Sequence, residues 1–98
     1  MIKTLSRDEV DRELKSLPGW AMQSDGAIAR QYRFEDYSAV INFVTRVADV
    51  AERLQHHPDM HVRYSSVEVK FITHDAGGVT TKDIDSAREV DLVLSRPS

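Results

Sequence analysis

The sequence predicts an α+β domain of order α-β-β-α-β-β-α, in which a four-stranded antiparallel sheet carries three helices packed on one face. Three observations predict it. Apolar residues recur at three- and four-residue spacing in three segments and alternate in four others, and the turn dipeptides Asp25-Gly26 and Ser65-Ser66 separate the alternating runs. Two hairpins joined by a long helix most simply form one antiparallel sheet, leaving its second face to solvent or to a partner. At 98 residues the chain is a single domain over 1–98, with room for one core but not for a separate cofactor-binding fold.

Each element has a local cause. Ser6-Arg7-Asp8-Glu9 is a capping box, Leu5 and Val10 stand at the positions of a hydrophobic staple, and Val10, Leu14 and Leu17 give the first helix its stripe. Pro18-Gly19 ends that helix. Trp20 to Gln23 then pairs with Ala27 to Phe34 across Asp25-Gly26, with Trp20, Met22, Ile28, Tyr32 and Phe34 facing inward. Asp36 is the expected N-cap of the longest helix, whose apolar positions are Tyr37, Val40, Ile41, Val44, Val47, Ala48, Ala51 and Leu54, and Pro58 should close it just after His57. Met60, Val62 and Tyr64 alternate with His61 and Arg63, and Val67, Val69, Phe71 and Thr73 alternate after Ser65-Ser66, describing the second hairpin. The Ala76-Gly77-Gly78 turn leads into Thr80-Thr81-Lys82-Asp83 and a last helix with Ile84, Ala87, Val90 and Leu94 inward.

Composition removes several function classes. With 41% hydrophobic and 30% charged residues the chain is an ordinary globular protein, and without cysteine it has no disulfides, thiolate nucleophile or Cys-containing zinc site. Its 16 acidic and 13 basic residues are mixed along the chain, so no field draws in phosphate backbones and no direct nucleic-acid contact is expected. The start Met1-Ile2-Lys3-Thr4-Leu5-Ser6-Arg7-Asp8 shows no secretory pattern, and no segment approaches membrane-spanning length. A cytoplasmic protein without a membrane partner is the expectation.

Chemistry concentrates between Glu52 and Asp83, which bracket all four histidines. His56 and His57, at the expected end of the long helix, point roughly 100° apart and can both reach a cleft if that end overhangs it. The alternative is that they merely serve the helix dipole. His74 ends a strand before two glycines, whose backbone lets a flat polar heterocycle approach closely. Glu52 stands one turn before His56 and can pair with it, or simply be solvated. Asp83 has the spacing of a capping residue with Thr80 and could also reach a pocket rim. Tyr64 and Trp20 should be core or pocket wall by strand parity. His57, His61 and His74 are the best candidates for zinc, but Pro58 interrupts their helical spacing and His61 faces away, so no metal is expected. Nucleotide-binding loops and a nucleophile elbow are absent.

The pattern Glu52-x3-His56-His57-Pro58-x5-Tyr64-x9-His74-x8-Asp83 resembles the signature of the pterin-4a-carbinolamine dehydratases. Leu17-Pro18-Gly19-Trp20, Phe34-x-x-Tyr37, Val47-Ala48-x3-Ala51-Glu52 and Thr73-His74-x-Ala76-Gly77-Gly78-Val79-Thr80 extend the likeness across the chain. The resemblance implies a lyase that removes water from 4a-hydroxytetrahydropterin to give the quinonoid dihydropterin, in tetrahydropterin recycling, with no cofactor. It implies His56, His57 and His74 as catalytic imidazoles and Glu52, Asp75, Ala76, Gly77 and Asp83 as substrate-binding positions. It also implies a pterin ligand, a homodimer or homotetramer, and for some members a protein partner. Lys82 stands where many members carry arginine, and Met60 where an aromatic is common. A protein-interaction role, or pterin binding without turnover, is the alternative within the same fold.

Overall fold

The computed structural model describes residues 3–96. Met1 and Ile2, part of the expected leaderless start, lie outside the described residues. Helix α1 (Arg7–Leu14) starts at Ser6 with both bonds of the capping box: Glu9 N–H donates to Ser6 Oγ (3.1 Å) and Ser6 N–H donates to Glu9 Oε1 (2.8 Å). Strands β1 (Ala21–Met22) and β2 (Ile28–Arg33) form the first hairpin. Helix α2 (Tyr37–Leu54) crosses to β3 (Asp59–Val62) and β4 (Ser66–Phe71), and a short 3-10 turn (His74–Ala76) precedes α3 (Thr81–Val93). All pairings are antiparallel in the order β1-β2-β4-β3, so the expected fold class and element order are observed.

Register decides the two faces. Ile28, Arg30 and Tyr32 oppose Phe71, Val69 and Val67 and point at the helices, while Ala29, Gln31 and Arg33 oppose Lys70, Glu68 and Ser66 on the other face. The core therefore lies on one side, where Val10, Val40, Phe43, Val47, Val50, Ile84 and Val90 close over Ile28, Tyr32, Val67, Val69 and Phe71. Full burial of one such side chain contributes about 2 kcal/mol. Among the described residues no helix is long and apolar enough to cross a membrane.

Four local expectations need correction. The long helix stops at Leu54, not beyond His57: Gln55 adopts the left-handed conformation (φ 52°), and the N–H groups of Gln55 and His56 both return to the Ala51 carbonyl. Pro58 is the physical reason, because the residue before a proline is driven out of the helical region and the turn must come earlier. On α2 the inward stripe runs through Val40, Phe43, Val47, Val50 and Ala51, leaving Tyr37, Ile41 and Ala48 exposed on its flank. Leu94 is exposed and Val93 takes its place, since α3 ends there. Tyr64 lies past the end of edge strand β3, 76% exposed and stacked on Tyr37, instead of in the core or a pocket wall. Trp20 is buried, as strand parity requires.

Candidate active site

The early turn at Gln55 throws His56 and His57 off the end of α2 and toward the end of β4. There Gln55, His56, His57, Ile72, Thr73, His74, Asp75 and Lys82 line one open pocket of about 310 Å³. A left-handed non-glycine residue costs about 1 kcal/mol, and such cost tends to be retained where geometry matters. The three expected imidazoles thus meet at a single concavity. A depression of about 300 Å³ on the open sheet face is lined by Asp59, Met60, His61, Glu68 and Lys70, with one imidazole and no convergence on it.

His56 is the most constrained of the three. Its ring stacks on buried Phe71 (5.7 Å, 13°), and its Nε2 lies 2.6 Å from Asp83 Oδ1. A carboxylate oxygen accepts, so the proton sits on His56 Nε2 and Nδ1 is the nitrogen left to exchange a proton with a ligand. Asp83, expected to cap the last helix with Thr80 and to reach a pocket rim, does cap α3 but is fully buried behind His56. Its other oxygen accepts from Thr80 N–H (2.8 Å) and from the Thr73 hydroxyl (2.8 Å), so the capping box of α3 and the support of His56 are the same carboxylate. A buried acid is tolerated when its oxygens are occupied in this way.

His57 and His74 line the same pocket and are exposed. His57 Nε2 is 2.5 Å from Glu52 Oε2, so Glu52 pairs with His57, not with His56 as its i,i+4 spacing suggested. The termination of α2 is again responsible, because past Gln55 the helical spacing no longer applies. His74 opens the 3-10 turn, in which the N–H groups of Ala76 and Gly77 return to the Thr73 carbonyl (3.1 Å each). Gly77 takes the left-handed conformation (φ 78°) that closes this turn. Asp75 and Lys82 flank the opening with opposite charges, while Ala76 and Gly77 shape the loop without lining the pocket. Among the described residues no three His, Cys, Asp or Glu side chains are placed to hold a metal ion.

Thr73, Ile72 and Gln55 were not singled out in the sequence as site residues. Gln55 could have been suspected from the helix length available before Pro58; Thr73, read as an inward strand position, carries no signal that it bonds to Asp83.

Residues 3–93 match the family model described as pterin 4 alpha carbinolamine dehydratase. A protein of Rhodopseudomonas palustris (strain BisB18), provisionally named a pterin-4-alpha-carbinolamine dehydratase, is 42% identical over 99 residues, covering 100% of this chain and 98% of its own. A Mycolicibacterium smegmatis protein of the same provisional name is 43% identical, covering 93% of this chain and 96% of its own. A Brucella melitensis crystal structure described as a transcriptional coactivator/pterin dehydratase superposes with TM-score 0.88 at 35% identity, covering 93% of this chain and 98% of that one. A pterin dehydratase-like RuBisCO assembly factor of the alpha-carboxysome shares the fold at TM-score 0.67 and 17% identity, over 81% of this chain and 93% of its own.

Proposed function

The chain belongs to the pterin 4 alpha carbinolamine dehydratase family, and we propose that it dehydrates 4a-hydroxytetrahydropterins by histidine general acid–base catalysis, in the recycling of a tetrahydropterin. In this reaction the C4a–O bond breaks, the N5 proton is lost, a C4a=N5 double bond forms and water leaves. A base is needed at N5 and an acid at the departing hydroxyl, and imidazoles suit both at neutral pH.

The observation that carries the reading is the meeting of His56, His57 and His74 at one open pocket, with His56 fixed from behind by Asp83. We assign His56 and His74 as the acid–base pair and His57, steered by Glu52, as the group that orients the pterin. Asp75, which lines the pocket, offers an acceptor to the ring edge.

The test is disappearance of the 4a-carbinolamine generated in situ by a pterin-dependent hydroxylase. Wild type should accelerate it over buffer, and His56→Ala and His74→Ala should each remove about 10²-fold or more of that acceleration. No acceleration by wild type refutes the activity; mutants that match wild type refute the residue assignment.

A second property is self-association, as a homodimer or homotetramer. Tyr37, Ile41, Val62 and Tyr64 are exposed, and β3 presents an unpaired edge. Sedimentation should give a species larger than one chain, and a monomer at assay concentration contradicts it.

A further inference from the structure

The loop that carries His74 is short of tertiary support of its own. His74 and Asp75 are exposed, and the loop's N–H groups at Ala76, Gly77 and Gly78 turn back on the Thr73 carbonyl. Its outside support comes from the segment before α1. The Thr4 hydroxyl donates to the Ala76 carbonyl (2.7 Å), and Leu5 N–H donates to the Val79 carbonyl (2.8 Å). Leu5 packs against the core and Ser6 starts the capping box, so this strap is held firmly on its C-terminal side.

Gly78 adds an independent observation. Its φ lies outside the left-handed region, so conformation does not demand glycine there. Space does: a Cβ on Gly78 would stand 2.8 Å from Thr4 Cγ2. The two residues are complementary, the missing side chain of one making room for the methyl of the other.

We propose that Thr4 is a positioning residue for His74, its hydroxyl clamping the His74–Gly78 loop through Ala76 while its methyl seats on Gly78; the catalytic consequence rests on the dehydratase reading above. The strap adds no group to the pocket. It fixes where the His74 imidazole stands relative to His56 in the pocket they share, a placement on which proton transfer to and from a ligand depends.

Four variants test this: Thr4→Val removes the hydroxyl and keeps the methyl, Thr4→Ser does the reverse, Gly78→Ala introduces the clash, and the Thr4→Ser/Gly78→Ala double relieves it. Carbinolamine turnover is measured as kcat and KM separately, alongside amide hydrogen exchange at Gly77 and Gly78. Thr4→Val should lower kcat and speed exchange at those amides by about five- to tenfold, the factor one lost hydrogen bond yields, with KM little changed. Thr4→Ser should behave as wild type. Gly78→Ala should be impaired in the same way and the double variant restored. Exchange in Thr4→Val equal to wild type, or a double variant as slow as Gly78→Ala, overturns the proposal. If wild type itself shows no turnover, the dehydratase reading fails while exchange and its rescue still decide whether Thr4 positions the loop.

Discussion

Two carboxylates on α3, Asp83 and Asp91, each gather hydrogen bonds from distant parts of the chain, yet one supports a site and the other closes the core. Asp83 takes the His56 imidazole, the Thr73 hydroxyl and the Thr80 N–H. Asp91 takes the Trp20 indole N–H (3.2 Å to each oxygen), the Arg30 guanidinium (2.9 Å) and the Tyr32 hydroxyl, with Arg30 also lying over the Tyr32 ring (4.5 Å). The partners make the difference. Arginine stays charged and indole only donates, while burial, followed by the bond to Asp91, pushes the Tyr32 phenol far above its ordinary value. None of the groups on Asp91 is an imidazole, whereas Asp83 holds one that opens on a pocket. The number of hydrogen bonds a carboxylate gathers does not by itself mark chemistry.

The comparison can be broken from either side. The largest effect is expected at the imidazole: His56→Ala should cost about 10²-fold or more in turnover while the Asp91 cluster keeps the fold intact, checked by turnover and circular dichroism together. Asp91→Ala should do the converse. It strands the Trp20, Arg30 and Tyr32 groups and should lower unfolding free energy by about 2 kcal/mol in urea, with turnover per folded molecule within about twofold of wild type. Thr73→Val removes one of the three bonds to Asp83, so stability should fall by about 1 kcal/mol and turnover severalfold, both restored by Thr73→Ser. The smallest effect is expected at the hairpin tip, where exposed Asp25 pairs with Lys70. That pairing, together with the Ala27 N–H bond, holds the Asp25 carboxyl below its ordinary value, so any contribution is present above the ordinary carboxylate range and lost as pH falls through the lowered value. Asp25→Asn should leave turnover and the urea midpoint at neutral pH unchanged.

The element order and the caps at Ser6, Asp36 and Thr80 were readable because they depend on neighbours three or four residues away. Which imidazoles share the pocket was readable, but not their partners or much of the remaining lining. His56, His57 and His74 follow from spacing and resemblance, but that His56 meets Asp83, 27 positions away, depends on where α2 stops. That stop was misplaced, and the misplacement carried Glu52 to the wrong histidine. Tyr64 failed for a related reason, since alternation in an edge strand says which way a side chain points but not whether anything lies there to cover it. Thr4 and Thr73 act through tertiary contacts that no local pattern encodes.

The most direct measurement is carbinolamine turnover by Asp83→Asn beside Asp91→Asn, each corrected for its folded fraction. If Asp83 fixes the catalytic imidazole and Asp91 only the core, Asp83→Asn should lose about tenfold to 10²-fold in kcat while Asp91→Asn stays within about twofold of wild type. Equal losses in the two variants, or an Asp83→Asn enzyme as fast as wild type, would contradict the account.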